Sequence, residues 1–323
     1  MVRFKCFAYG TQEVIRVMEV FKLSLGQILE LFLFMLIGFI LRRKRILSDE
    51  TGALLSKLET LIFMPALIIN SFVTNCNWTN LSSNLDLLLY SVGTIAASTL
   101  LAIPLSRLFS KEPLERSYYK YSLVIPNFGF VGNAIILGVL GSENLFKYLI
   151  FCIPINLFLY SIAIRWLTQR GSRKFTFRSL LNPIFISLIV GMVLGLLEVN
   201  LPTFLSATLS AASGCMAPIA MLVTGFIIGE YDLKKLFRIK KVYVLSILRL
   251  VVIPLLFYFV LKLFHVADNL LIIIIGYLAM PLGLYTILMP AANGDDTTTG
   301  ASMALISNLL AVVTIPLVFM LVM

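Results

Sequence analysis

The chain has 323 residues, is 59% hydrophobic with a mean hydropathy of +0.98, and carries only 13% charged side chains, about half the share of a soluble domain. That composition excludes a separate soluble catalytic domain and leaves room for about ten apolar spans of ~20 residues. A net charge of +10 would fit a nucleic-acid partner, but the basic residues sit in short connections between apolar runs, where they report membrane topology, so no nucleic acid is expected.

Residues 1–23 read as a tail in which Arg3, Lys5, Glu13, Arg16, Glu19 and Lys22 are mixed with single apolar residues. It lacks the apolar core of a signal peptide, and Met18 offers a second translation start just before the first span. Span 1 is expected over about 24–41 and ends at Arg42-Arg43-Lys44-Arg45. Span 2 follows Ser48-Asp49-Glu50, acids suited to the positive end of a helix; it carries Lys57 and Glu59 and is interrupted at Met64-Pro65. The polar loop over 75–84 contains Asn77-Trp78-Thr79 and Asn80-Leu81-Ser82, which match the glycosylation sequon and equally arise by chance in an Asn-rich loop. Span 3 covers about 87–106 with Pro104, span 4 about 121–140, and span 5 about 148–164 with Pro154 and Asn156. After a basic connection the pattern restarts. Span 6 covers about 180–197, span 7 about 203–229 with Pro218, and span 8 about 242–261 with Arg249 and Pro254. Span 9 covers about 270–292 with Pro281 and Pro290, and span 10 runs from about 301 with Asn308 and Pro316.

The restart keeps a nearly constant offset. Pro65 and Pro218 are 153 residues apart, Pro104 and Pro254 150, Pro126 and Pro281 155, Asn156 and Asn308 152. This predicts an internal duplication: a first five-span repeat over 24–168, a basic linker over 169–178, and a second repeat over 179–323. The connections after spans 1, 3, 5 and 7 hold eighteen Lys or Arg, whereas those after spans 2, 4, 6 and 8 hold only Lys147 and Lys262. By the positive-inside rule the basic connections are cytoplasmic. Five spans per repeat then insert the second half upside down. The expected fold class is an all-α polytopic membrane protein of ten helices, a five-plus-five inverted repeat with both termini outside.

Two spans are unsuited to an unbroken helix. Span 4 contains Ile125-Pro126-Asn127-Phe128-Gly129-Phe130-Val131-Gly132-Asn133, and span 9 contains Met280-Pro281-Leu282-Gly283-Leu284-Tyr285. Each proline removes a backbone donor and clashes with the preceding turn. At bilayer depth the freed backbone needs protein or a watery cavity around it. A single kink absorbed by packing explains either proline alone; the pairing across an inverted repeat favours two crossing broken helices. Their half-helix amino termini would converge on one site suited to an anion, in particular a carboxylate. Candidate binding residues are therefore Pro126, Asn127, Gly129, Asn133, Pro281, Gly283 and Tyr285. Pro65, Asn156, Pro218 and Asn308 are supporting candidates, with Asn156 and Asn308 placed to hydrogen-bond the broken backbone from behind.

Charges in or near spans are few. Lys57, Glu59 and Asp295 are candidates for ion coupling, with Asp296 beside them. Arg249 lies eight residues past Lys241, about 12 Å into its helix, and is expected to snorkel back to the cytoplasmic surface. Gly191-Met192-Val193-Leu194-Gly195 in span 6 is a GxxxG that serves either a dimer seam or packing within one chain. No cofactor and no metal is expected: Cys6, Cys76, Cys152 and Cys215 are scattered, and His265 is the single histidine. Walker A, HExxH and GxSxG signatures are missing, so the chain is not read as an enzyme.

The residues Pro126-Asn127-Phe128-Gly129-Phe130-Val131-Gly132, Met280-Pro281-Leu282-Gly283 and Asn293-Gly294-Asp295, with Met64-Pro65-Ala66-Leu67, Asn182-Pro183 and Ala217-Pro218-Ile219-Ala220, resemble the auxin efflux carrier family, bacterial members included. The resemblance covers about 24–323. It implies a carrier in which spans 1, 2, 6 and 7 form a scaffold, often dimeric, and the other six spans a mobile domain. It also implies organic acid anions as substrates: indole acetate in plants, malate or malonate in bacteria. The chain departs from the family pattern at Ala134, where many members have a second proline, and it lacks the long cytoplasmic loop of some plant members. A permease of the bacterial plasma membrane is therefore expected, moving a small organic anion. The alternatives are a cation-coupled symporter of the same fold and a membrane sensor that binds the anion without moving it.

Overall fold

Apolar side chains around most of a helix leave no face for water, and such helices bury one side against their neighbours while the other faces lipid. The computed structural model, which describes residues 2–168 and 181–322 with side chains from Met18 onward, follows this pattern. Helix α1 (Val2–Arg43) buries Ile28, Leu31 and Met35 and exposes Leu29, Leu33 and Ile37. From Val2 onward, the segment read as a tail is thus continuous with the first span.

The first half continues with α2 (Thr51–Leu58), α3 (Met64–Asn75), α4 (Trp78–Ser82), α5 (Asp86–Phe109), α6 (Pro113–Val124), α7 (Asn133–Phe158) and α8 (Ile164–Leu167). The second half contains α9 (Pro183–Leu196), α10 (Thr203–Ile228), α11 (Leu233–Phe237), α12 (Lys240–Ile247), α13 (Ile253–Leu263), α14 (Asp268–Leu278), α15 (Tyr285–Ala291) and α16 (Thr298–Val322). The linker read over 169–178 lies outside the described residues. Among the described residues the one β feature is an antiparallel bridge between Pro126 and Leu282.

Among the described residues seven helical stretches are long and apolar enough to cross a membrane, where the sequence predicted ten spans. In the stretch read as span 4, α6 ends at Val124 and helical turns resume at Phe128, and in the stretch read as span 9, α14 ends at Leu278 and α15 begins at Tyr285. Span 6 is the 14-residue α9. The second part of span 4 runs on into span 5 as one helical stretch, Phe128–Leu167, with a kink at Gly141, whose φ of 83° lies in the region that favours glycine.

The prolines leave a second mark. Proline has no N–H, and its ring displaces the carbonyl four residues back, so the neighbouring N–H reaches five residues back instead. Met64 N–H donates to Glu59 O, and Ile253 N–H donates to Leu248 O, making π-helical turns at Glu59–Phe63 and Leu248–Val252 just before Pro65 and Pro254. Two more such turns, Phe128–Gly132 and Leu159–Ala163, open α7 and close it.

Glycines set the helix contacts. A Cβ at Gly38 would lie 2.1 Å from Leu222 O, and one at Gly225 would lie 1.8 Å from Met35 O, so α1 and α10 touch backbone to backbone. Gly191 and Gly195 press α9 onto Phe72 of α3 and onto Cys76 just after it. The GxxxG is therefore used within the chain. Helix α10 packs on α1 and α3, and α3 on α9; α5 packs on α6 and α7, while α11, α12, α14 and α15 pack on α16; α1 also lies along α16.

Candidate functional site

The site is built where two chain segments stop being helical. Helix α6 ends at Val124, and Ile125 is extended (φ −110°, ψ 108°) ahead of Pro126. Helix α14 ends at Leu278 and the chain becomes helical again at Tyr285. Between these ends the two segments cross antiparallel, with Asn127 N–H donating to Pro281 O at 2.7 Å. Gly283 passes so close that a Cβ on it would meet Asn127 Cα at 3.5 Å, an ordinary contact.

Side chains from neighbouring helices take up the backbone groups that the breaks release, as buried backbone requires. Tyr277 donates its hydroxyl to Val124 O and Tyr148 to Phe128 O, both at 3.2 Å. Leu282 N–H donates to Ser307 Oγ at 2.9 Å. Asn156 and Asn308 do not support the breaks in this way. Each donates Nδ2 to the carbonyl four residues back in its own helix, Cys152 O at 2.9 Å and Ala304 O at 2.8 Å. The two asparagines thus match one another in their bonding, but the supporting partners are Tyr148, Tyr277 and Ser307.

Beside the crossing lies a cavity of about 60 Å³, several times the ~10–15 Å³ that one water needs. Of the sequence-predicted binding residues, Pro126, Asn127, Gly129, Asn133, Gly283 and Tyr285 line it, joined by Asn156. Pro281 is in the crossing but does not face the cavity. Asn308 faces a different, smaller cavity against α1, together with Ile28 and Met221. Pro65 and Pro218 line neither cavity, though Met64 beside Pro65 lines the first.

Asn127 and Asn133 are both buried, and Asn127 Nδ2 has no hydrogen-bond partner. A buried donor left open costs free energy unless something fills it. The cavity also takes residues that sequence reasoning missed: Thr60, Met64 and Ile68 from the second span, Ile184 from α9, and Cys152 and Tyr160 from the fifth span. Tyr160 and Tyr285 both line it, and their hydroxyls share a hydrogen bond at 3.2 Å. Their signal in the sequence was faint, since a tyrosine in an apolar run reads as core.

The charged candidates separate. Glu59 is 1% exposed, bonded through Oε2 to the Thr60 hydroxyl at 3.3 Å with Oε1 unpartnered, and is close enough to act electrostatically on Tyr160 and Tyr285. Lys57 is exposed and Asp295 half-buried in the turn after α15, and neither lines the cavity. Asp296 accepts the Thr298 N–H and hydroxyl at the start of α16, and these two bonds hold its carboxyl below the usual range. Arg249 does not snorkel: it is 0% exposed, in the π-helical turn before Pro254. Among the described residues no group of His, Cys, Asp and Glu is arranged to hold a metal.

No curated protein matches the chain. A family model described as "membrane transport protein" matches it in two segments, residues 23–174 and 167–319. Together the segments cover nearly all of the chain and meet at the basic connection between its halves. The chain therefore belongs to this membrane transport protein family, the auxin efflux carrier-like transporters.

Proposed function

We propose that the chain is a carrier of small organic acid anions of the malate or malonate kind, working by alternating access. The observation that carries this reading is the open amide of Asn127, buried in a cavity that two helical segments enter by their amino-terminal ends, at Phe128 and Tyr285. Helix amino termini offer free N–H groups and a positive dipole end to an anion, and broken helices present substrate carboxylates with such ends in other transporters. The cavity is walled on one side by the second span and α9 and on the other by both broken segments and the fifth span. A site between two helix sets opens to alternate sides when one set moves against the other.

In this reading the ten spans form a five-plus-five inverted repeat in a bacterial plasma membrane with both termini outside, as the eighteen-to-two distribution of basic residues supports. A homodimer through spans 1, 2, 6 and 7 would use the outer faces of those helices, because Gly191 and Gly195 are taken up by α3. Glu59 favours proton coupling: it is a buried carboxyl with one oxygen open, one residue from the cavity lining.

Uptake of labelled malate and malonate into proteoliposomes tests the reading. Saturable uptake that an inward proton gradient accelerates, and that Glu59→Gln makes indifferent to the gradient, is the expected result. Voltage-sensitive uptake indifferent to pH in the wild type would leave a uniporter and remove Glu59 from coupling. A folded protein that binds carboxylates but takes up neither acid would overturn the carrier reading in favour of an anion sensor.

A further inference from the structure

The crossing has two electrostatic faces. The segments that begin at Phe128 and Tyr285 turn amino-terminal ends to the cavity, whereas α6 and α14 end at the crossing, at Val124 and Leu278. Carboxy-terminal ends attract cations, and in carriers built on broken helices such ends and the unwound carbonyls are where a coupling cation binds.

Here a side-chain cation already stands at that end. The guanidinium carbon of Arg249 lies 5.9 Å from the ring centroid of Tyr277, in the last turn of α14. Tyr277 donates its hydroxyl to the last residue of α6, Val124, through the carbonyl. The second group that acts on Arg249 is Tyr148, which holds Phe128 O. No carboxylate acts on it, and Nε, Nη1 and Nη2 all lack hydrogen-bond partners. The four ion pairs among the described residues lie elsewhere. Arginine does not lose its proton in proteins, and a buried unpaired charge is strongly unfavourable. Its compensation must come from the groups around it, and these are Tyr277 and Tyr148, the two residues whose hydroxyls hold Val124 O and Phe128 O at the crossing.

We propose that Arg249 is a tethered counter-cation for the carboxy-terminal ends at the crossing, in the place where a metal cation would otherwise bind, so that anion binding in the cavity requires no sodium or potassium. The anion clause rests on the carrier reading; the counter-cation clause does not.

The test therefore has two arms on the purified full chain in detergent, at constant ionic strength. In the first, without any carboxylate, thermal unfolding is followed in N-methylglucamine, sodium, potassium and low-millimolar guanidinium chloride. The wild-type midpoint should be the same in the first three. Arg249→Gln should unfold at lower temperature and be raised selectively by sodium or guanidinium, while Arg249→Lys stays near the wild type. A wild-type midpoint that needs sodium or potassium, or an Arg249→Gln protein as stable as the wild type, overturns the proposal. Should Arg249→Gln fail to fold, Arg249→Lys decides: a folded, sodium-indifferent lysine variant supports a charge requirement, and failure of both overturns it in favour of a shape requirement. In the second arm malonate is the probe. Wild-type affinity should be equal in sodium, potassium and N-methylglucamine, and Arg249→Gln should weaken it roughly 5- to 150-fold, the usual range of coupling between sites, with partial recovery in guanidinium. Wild-type affinity that requires sodium or potassium overturns the proposal. No malonate binding by a wild type that passes the first arm overturns the carboxylate reading and leaves the counter-cation standing.

Discussion

Replacing Gly132 by alanine should destabilise the protein by more than one methyl group implies, because its Cβ would lie 2.2 Å from the Tyr148 hydroxyl and 3.1 Å from Tyr148 Cζ. Tyr148 is fully buried and holds Phe128 O, at the start of the segment that carries Gly129 and Asn133 into the cavity. To admit the methyl group the tyrosine must swing away. That forfeits a hydrogen bond worth about 0.5–1.5 kcal/mol and overfills an interior where such strain costs about 1–3 kcal/mol, for a total of about 1.5–4.5 kcal/mol. Tyr148→Phe alone removes the bond and leaves Phe128 O with the Asn133 N–H as its partner, but it also removes the obstructing oxygen. The double variant should therefore lose at least ~1 kcal/mol less than the sum of the single losses, within the coupling range for residues in contact. Unfolding in mixed micelles titrated with denaturing detergent, read by intrinsic fluorescence, gives the four corners of the cycle. Additivity within ~0.5 kcal/mol would refute the reasoning and move the need for glycine to Met280, whose Cγ is the next neighbour at 3.5 Å.

Asn127→Ala should weaken carboxylate binding by about 1.5–3 kcal/mol, the worth of one hydrogen bond to a charged group and roughly 10- to 150-fold in Kd, with little change in melting temperature because the lost donor has no partner in the unliganded protein; thermal-shift titration with malonate measures both. Asp296→Ala should lower stability at neutral pH by about 0.5–1 kcal/mol, the lower part of the range for an acceptor at a helix start since the group is exposed. Its folded carboxyl titrates below the reference value of 3.8, so that stabilisation is present above about pH 4 and is lost as pH falls through the folded pKa; wild-type and variant midpoints measured from pH 7 downward should converge. Gly195→Ala would place a Cβ 2.6 Å from Phe72 O and 2.8 Å from Cys76 Cβ. A loss of about 1–3 kcal/mol with unchanged oligomeric mass by light scattering is expected, and dissociation without destabilisation would return the glycine to a dimer seam.

The two breaks were legible because Pro126 and Pro281 recur at nearly the repeat offset and each is followed within two residues by an asparagine or a glycine; proline alone was not enough, since Pro104, Pro154, Pro218, Pro290 and Pro316 all lie inside helices. Six of the seven residues named around them share one cavity for that reason. The support of the breaks was not legible. Asn156 and Asn308 sit at matching repeat positions, but an asparagine inside a helix can bond its own preceding turn, and both do. Tyr148, Tyr277 and Ser307 do the supporting instead, and in sequence they look like any tyrosine or serine of an apolar span. The lining from Thr60, Met64 and Ile184 needed the packing of the second span and α9 against the crossing, which no local pattern encodes. The continuous helix α1 was hidden by the charges among residues 1–23, since a helix with a polar stretch has no distinct signature where the apolar period stops.

The misplacement of Arg249 has a more instructive cause. A charge about 12 Å into a span was expected to reach water by its own length, which presumes a regular helix. A π-helical turn carries one extra residue, and one residue is a rotation of ~100° in a 3.6-residue helix. Leu248–Val252 is such a turn, and so is Glu59–Phe63. Each starts six residues before a proline, at Pro254 and Pro65, and each contains an ionisable side chain, Arg249 five residues and Glu59 six residues ahead of the proline, that is almost fully buried. The proline creates the turn by withholding a donor, and the turn changes the face on which every residue before it lies relative to every residue after it. One of the two charges then faces the Tyr160–Tyr285 side of the cavity and the other the tyrosines behind the crossing. What separates Arg249 and Glu59 from Lys120, which also lies six residues ahead of a proline but is only half-buried, is that each sits inside a π-helical turn.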